Sequence, residues 1–378
     1  MSNTKHILIN AFSARRGGGQ TYLINLLNNF IPQKNIQVSL LLHESSDLVF
    51  NNPNIRRINI SFNVINPFLR YFWEKFHLPS LLKKEGVDLL FCPGGLVSIG
   101  RKAKCKKVTM FRNMIPLDKL QRKKYPIGYM RLRNWLLGFA LIRSMEAADV
   151  VIFISKYGQK VVQSISNKGI KKFSIIPHGV NKNNQLKSRI NSSIKKDNDL
   201  FIAYVSTIDV YKSQLEVVEA YHLLNDRGIK LPKLFLIGPW ETLSYVEKIK
   251  SSIIKKNLSN LVFLKGPVSY KNINSVYDQA EFIIFASKSE NCPNILLESM
   301  AAGKAILCSN YQPMPEFADE AVLYFNPKDP NELADKILIL LKDKEKVKEL
   351  ENKSLERSLI YNWEQSAQET WKILINEI

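Results

Sequence analysis

What most constrains this 378-residue chain is a recurring alternation of short, continuous apolar runs with stretches of helical periodicity. The runs His6–Asn10, Ile36–His43, Val87–Cys92, Lys107–Phe111, Asp149–Ser155 and Phe173–Ile176 form a first series. Leu200–Ser206, Lys233–Ile237, Leu261–Lys265, Glu281–Ala286, Ala305–Ser309 and Ala321–Phe325 form a second. Strands that face water on one side alternate apolar and polar residues. These do not, so they read as parallel strands covered by helices on both faces. The pattern is that of βαβ units, and the fold class is α/β. A chain of this length exceeds what one core usually supports, so two Rossmann-like parallel-sheet domains in tandem are expected. Asn181–Asp199, rich in Asn, Ser, Lys and Gln and almost without apolar residues, separates the two series. The expected domains are therefore 1–180 and 181–360, with the boundary near Val180. Beyond Asp329 the spacing predicts helices over Asn331–Lys342 and Glu345–Leu359, then a last segment carrying Trp363 and Trp371.

Composition excludes several classes. With 45% hydrophobic and 23% charged residues the chain is globular. Cys92, Cys105, Cys292 and Cys308 form neither a CxxC pair nor a Cys/His cluster, which argues against a disulfide framework and a structural zinc site and suits a reducing compartment. The polar start Met1–Lys5 leads straight into a strand-like run, and no apolar stretch reaches bilayer length, so a cytoplasmic protein is expected. The formal net charge of +20 is compatible with nucleic acid, an anionic membrane or an anionic substrate. It is equally compatible with solvated lysines in a chain rich in Lys, Asn and Ile. Nucleic acid is not expected, because no helix-turn-helix, RNA-recognition or zinc-finger signature occurs.

Ligands of open α/β sheets bind beyond the carboxyl ends of the strands, which directs attention to three loops. In the first, Ala14–Gln20 places Gly17, Gly18 and Gly19 before a helix expected over Thr21–Phe30. Consecutive glycines admit a ligand close to the backbone at a helix N-terminus, and a plain tight turn is the alternative. The second, Ser287–Glu298, lies between two strand runs. Pro293 suits a first helical turn and Gly303 the position after the last, so a helix is expected over about Pro293–Ala302. Glu290 would then stand in the loop at the helix mouth and Glu298 more than a turn inside, as a pair of ligand-facing carboxylates or as a cap and a surface residue. The third, Ser206–Ser213, carries Lys212. Asp197–Asn198–Asp199 formally matches a DxD metal motif, but it precedes a strand inside a polar stretch, and no metal is expected there.

The Glu290/Glu298 pair, with seven residues between, and the following Ser299–Ile306 resemble the signature of family 4 (group 1) retaining glycosyltransferases of the GT-B fold. Gly238, Glu316 and Asn326–Asp329 extend the resemblance through the second domain. It is thinner in the first domain, where Gly17–Gly19, Ser155–Gly158 and Pro177–Val180 are similar to family landmarks. The resemblance implies two domains facing each other across a cleft, with 361–378 packing back on the first. It implies an acceptor-binding first domain and a second that binds a nucleotide-sugar donor, with Glu290 near the donor sugar and Glu298 on the ribose hydroxyls. Backbone groups around Cys292, Pro293, Asn294 and Ile295 would contact sugar or phosphate, with Gly17, Gly18, Gly19 and Gly238 also lining the donor. Lys212 matches a cation the family directs at the diphosphate, whereas the companion arginine is Thr207 here. Lys212, Arg15 or Arg16 would share that load. Where the family often has a His after the strand ending near Phe111, this chain has Arg112–Asn113–Met114.

The expected function is retaining, metal-independent transfer of a hexose from a UDP- or GDP-sugar to a lipid-linked or polysaccharide acceptor in cell-surface glycan synthesis, such as lipopolysaccharide or capsule. Glu290 and Lys212 are the expected catalytic residues, and no cofactor is expected beyond the donor substrate. Arg112–Arg143 interleaves Arg122, Lys123, Lys124, Arg131 and Arg133 with Tyr125, Tyr129 and Trp135, which suits either peripheral contact with the inner face of an anionic membrane or an ordinary amphipathic helix on the sheet. The alternatives are a non-catalytic glycosyltransferase-like partner subunit or glycan-binding protein, which Thr207 and the missing His would favour, and an epimerase or phosphorylase on the same fold.

Overall fold

The computed structural model describes residues 4–14, 17–62, 66–97, 99, 104–125, 127–181, 200–269 and 272–378. Arg15, Arg16 and the polar stretch from residue 182, with Asp197 and Asp199, lie outside the described residues. The chain divides into two compact units. The first comprises Met1–Leu117, Leu132–Gly179 and Trp363–Ile378, and the second Asp118–Arg131 and Val180–Asn362.

The first unit holds a seven-stranded parallel sheet of β1 (Lys5–Asn10), β2 (Ile36–His43), β3 (Ile55–Ile60), β4 (Leu89–Cys92), β5 (Lys106–Phe111), β6 (Val150–Phe153) and β7 (Phe173–Ile175), in the order 3-2-1-4-5-6-7. Ile7, Leu8 and Ile9 of β1 are wholly buried, as a central strand between helical layers requires. β3 has no counterpart among the expected runs. Arg56 and Arg57 interrupt its apolar character, which an edge strand tolerates because it pairs on one side only.

Helices of both units are numbered in chain order. The first unit carries α1 (Gly18–Asn28), α2 (Pro67–Phe76), α3 (Leu78–Lys84), most of α5 (Tyr129–Ala147), α6 (Lys156–Ile165) and α14 (Trp363–Asn376). α1 starts three residues before the expected Thr21, so Gly18 and Gly19 occupy its first turn and are not a preceding loop. First-turn N–H groups need no intrahelical acceptor, and Gly17, at φ 59°, makes the left-handed turn into the helix. α14 packs on α1: the Trp371 indole Nε1 donates to the Leu26 carbonyl (2.8 Å), and its ring lies 4.5 Å from that of Phe30.

The second unit holds a six-stranded parallel sheet of β8 (Phe201–Val205), β9 (Lys233–Ile237), β10 (Val262–Gly266), β11 (Ala280–Phe285), β12 (Ile306–Ser309) and β13 (Leu323–Phe325), in the order 10-9-8-11-12-13. Around it lie α4 (Lys119–Lys124), α7 (Gln214–Asp226), α8 (Leu243–Lys255), α9 (Ile273–Gln279), α10 (Asn294–Ala301), α11 (Met314–Ala318), α12 (Pro330–Lys342) and α13 (Lys344–Ser358). Asp329 caps α12 by accepting from the Asn331 (3.0 Å) and Glu332 (3.3 Å) amides, with Pro330 in the first turn. Strand order reverses between β1 and β4 in one unit and between β8 and β11 in the other. These are the switch points at which crevices open in doubly wound sheets.

Candidate active site

At the switch point of the second unit, the loop after β8 is organised by a buried carboxylate. Asp209 Oδ1 accepts from the Val210 amide (2.7 Å) and the Thr242 hydroxyl (2.9 Å), and Oδ2 accepts from the Tyr125 hydroxyl (3.1 Å). This capping holds the 3-10 turn Val210–Lys212, in which the Lys212 amide donates to the Asp209 carbonyl (2.9 Å). The turn aims Lys212 at Glu290, in the loop after β11, and the two form an ion pair. Their side chains are only 6% and 14% exposed. Burial by itself would lower the Lys212 pKa, but the Glu290 carboxylate outweighs it and holds the value above the usual one. Lys212 is therefore a fixed cation at neutral pH. The two loops are sewn together where the Lys288 amide donates to the Tyr211 carbonyl (2.8 Å), and the Lys288 ammonium pairs with Glu216 of α7.

α10 opens at the same crevice. It begins at Asn294, with Pro293 at the N-cap, one residue later than expected, and no side chain caps its N-terminus. Cys292, Pro293, Asn294 and Ile295 thus form the helix mouth. Glu298 lies just over a turn inside. It is half-buried, not a solvated surface residue, and among the described residues no hydrogen bond or charged neighbour acts on its carboxylate. Burial pushes its pKa up to about 7. Gly238, after β9, shows why the neighbouring position carries no side chain: at φ 151°, a Cβ would stand 1.9 Å from the Ser206 carbonyl oxygen and 3.3 Å from the Thr207 nitrogen.

Lys212, Glu290, Glu298, Thr207, Gly238 and residues 292–295 therefore belong to the loops around one switch point. Gly17, Gly18 and Gly19 belong to the first unit, at the start of α1. Sequence reasoning missed Asp209, Thr242 and Tyr125. An Asp three residues before a loop lysine is a local signal for a capped turn, but nothing local announces a Tyr 84 residues away. His178 packs in an aromatic cluster, with ring centroids 5.5 Å from Tyr22 and 5.2 Å from Trp363. Among the described residues, no group of three His, Cys, Asp or Glu side chains is placed to hold a metal ion.

Two family models match in tandem: Glycosyltransferase Family 4 over residues 16–184 and Glycosyl transferases group 1 over residues 187–357. The chain belongs to the group 1 (family 4) glycosyltransferases. The serotype-specific mannosyltransferase WbdA of Escherichia coli is 24% identical over 276 residues, which cover 69% of this chain and 32% of WbdA. The chain spans about a third of the length of the curated relatives it matches. Among solved structures, sucrose-phosphate synthase from Thermosynechococcus elongatus superposes with a TM-score of 0.77 at 18% identity, covering 98% of both chains. Anabaena Alr3699/HepE in complex with UDP-glucose does so with a TM-score of 0.70 at 15% identity, covering 98% of this chain and 99% of that one. At such identities the likeness concerns the fold, and that fold is GT-B, with its two Rossmann-like parallel-sheet domains. For this group 1 glycosyltransferase, the crevice between β8 and β11 is the candidate active site.

Proposed function

We propose that this group 1 glycosyltransferase binds a UDP- or GDP-sugar at the β8/β11 switch point and transfers its sugar, with retention, to a lipid-linked or polysaccharide acceptor in cell-surface glycan synthesis. The observation that carries this reading is Glu298: a half-buried carboxylate with its pKa raised by burial and no partner of its own, inside an uncapped helix mouth. A carboxylate half withdrawn from water and unpaired is costly unless something hydrogen-bonds to it, and ribose hydroxyls supply such donors. The helix N-terminus and the Lys212 ammonium are suited to the diphosphate, whose charge grows as the bond to the sugar breaks. On this reading Glu290 fixes Lys212 before the donor arrives and faces the sugar, where its negative charge favours an oxocarbenium-like transition state. Thr207 adds a hydroxyl and no charge, so Lys212 and the helix carry the neutralisation in this unit. Two relatives lend support: WbdA is a mannosyltransferase by name, and HepE is described with UDP-glucose.

The test is calorimetric titration of a panel of nucleoside diphosphates and their sugars, without added metal, into the wild type and Glu298→Ala. Selective binding of one nucleotide, weakened at least tenfold in the variant, is expected. A panel in which nothing binds would sink the donor-site reading and favour a non-catalytic partner subunit.

The acceptor side of the proposal is a cytoplasmic, peripheral attachment to an anionic membrane through the first unit. Among the described residues no helix is long and apolar enough to cross a bilayer. Two helices of that unit instead leave large apolar side chains in solvent: Phe72 and Phe76 on α2 (53% and 63% exposed), and Trp135 and Phe139 on α5. Burial lowers the pKa of Arg70 on α2; Glu74 opposes the shift and Arg133 of α5 adds to it, so the two helices lie within electrostatic reach of each other. Aromatic rings beside arginines match a bilayer interface with acidic headgroups.

A further inference from the structure

The positive charge of this chain is not spread evenly. The first unit holds 24 Lys and Arg against 10 Asp and Glu, and the second 30 against 24, so most of the excess belongs to the first. Within that unit, lysines line one edge of the sheet, where the N-terminal ends of β4, β5, β6 and β7 lie side by side. Lys83 and Lys84 end α3 ahead of β4, Lys104 and Lys107 flank the start of β5, and Lys168 and Lys171 precede β7. Among the described residues none of these six forms an ion pair. The carboxylates of the same edge are already engaged. Asp88 pairs with Lys5 (3.0 Å), Asp149 with Lys106 (3.6 Å), Glu85 with Arg56 and Glu377 with Lys172. Glu146 accepts from the Ser166 hydroxyl (2.7 Å) and from the Asn167 (3.0 Å) and Lys168 (3.3 Å) amides. The six lysines therefore share a positive field that the fold leaves uncompensated.

Shape narrows the partner. Two clefts open on this edge, one of about 460 Å³ lined in part by Lys83 and Lys104, and one of about 530 Å³ lined in part by Lys168, Lys171 and Lys172. Neighbouring strands lie about 4.8 Å apart, so the track from β4 to β7 runs for about 14 Å. A flat bilayer would cover such an edge without filling its clefts, whereas a linear polymer can follow the track and enter them. Charge chemistry narrows it further. The six open cations are all lysines, compact point charges that suit a phosphate, while the planar fork of Arg56, which matches a carboxylate, is already taken by Glu85. Ligands of open α/β sheets bind at the opposite, carboxyl edge, so the track belongs to neither switch-point crevice.

We propose that the N-terminal edge of the first sheet is a docking surface for a linear, phosphate-bearing acceptor polymer, held by ion pairs between these lysines and its phosphates. That the polymer is an acceptor rests on the transferase reading given above; the electrostatics of the edge do not.

The experiment is fluorescence anisotropy of end-labelled inorganic polyphosphate titrated with the full chain over a series of salt concentrations. It compares the wild type, the pair Lys104→Glu/Lys171→Glu, and a control pair Lys248→Glu/Lys255→Glu on α8 of the second unit. All four positions are exposed, so each variant should melt as the wild type does. The wild type is expected to bind at low salt, and the first pair to weaken binding roughly tenfold or more. That pair should also make the plot of log K against log salt shallower by about 1, since each phosphate neutralised on a single strand contributes about 0.7. The control pair should bind as the wild type does. Oligothymidylate and polyglucuronate of equal charge should bind more weakly, and tighter binding of either would assign the edge to a nucleic acid or a carboxylate polymer and overturn the proposal. Flotation of the first pair with phosphatidylglycerol vesicles at moderate salt should match the wild type; its loss with polyphosphate binding intact would assign the edge to a bilayer instead. No binding of polyphosphate at low salt, or equal losses in the two pairs, would make the edge an ordinary solvated face. Glu298→Ala should leave polyphosphate binding unchanged, so a failed donor site and a failed polymer track give different patterns.

Discussion

At the scale of single residues, the crevice proposed for the donor carries a carboxylate that lowers the stability of the unliganded fold. Glu298 has its pKa raised from an ordinary 4.5 to about 7, so between those values the folded chain holds a proton that the unfolded chain has released. Unliganded stability therefore falls as pH rises through this window, and above it the ionised carboxylate costs up to about 3 kcal/mol. Glu298→Gln should relieve that cost. We expect it to raise the melting temperature at pH 8 and leave it nearly unchanged at pH 4.5, with nucleotide affinity lowered at both. Thermal unfolding at the two pH values checks this, and a destabilised Gln variant at pH 8 would mean the carboxylate has a structural partner. The positions of Glu290, Glu298 and Lys212 were legible in the sequence because loop and helix signals are local: Pro293 and Gly303 bracket a helix, and the spacing does the rest. The Lys212–Glu290 contact was not legible, since it depends on how two loops from different strands meet.

Elements tell the same story with different failures. The buried strands announce themselves by uninterrupted apolar runs, whereas β3 is written with two arginines and α2 exposes much of its apolar content, so neither stands out. The segment Asp118–Arg131 is the least predictable of all. Its flanks belong to the first unit, yet it docks on the second, held by Tyr125, whose buried hydroxyl donates to Asp209. Because Asp209 also caps the Lys212 turn, loss of that hydroxyl should loosen the turn as well as the segment. Tyr125→Phe is expected to cost about 1–3 kcal/mol in chemical denaturation, the range for leaving a buried partner unsatisfied. It should also lower kcat more than it raises the donor KM, since it acts through Asp209 on the turn that holds Lys212 and not on Glu298, the carboxylate proposed for the ribose. A fall in stability with unchanged kcat would confine Tyr125 to holding the segment.

For the whole molecule, the net charge of +20 becomes informative only when set beside surface shape. Lysines spread over a solvated surface would give salt-dependent but shallow membrane adsorption, whereas exposed rings on α2 and α5 add apolar insertion. Flotation with vesicles rich in phosphatidylglycerol should recover the protein at low salt and in part at moderate salt. Phe72→Ser combined with Trp135→Ser should abolish the part that resists salt, and no flotation at any salt would overturn the attachment. The two parallel sheets were readable from two series of continuous apolar runs, because strands buried on both faces carry no polar alternation. What no local reading conveys is the order in which the parts become available. α14 is made after the entire second unit, yet Trp371 and Thr370 complete the surface that Leu26 and Tyr22 present on α1. On the ribosome, the first unit must therefore wait with an apolar face uncovered while the second closes, which makes nascent chains of this protein candidates for chaperone capture until translation has passed Trp371.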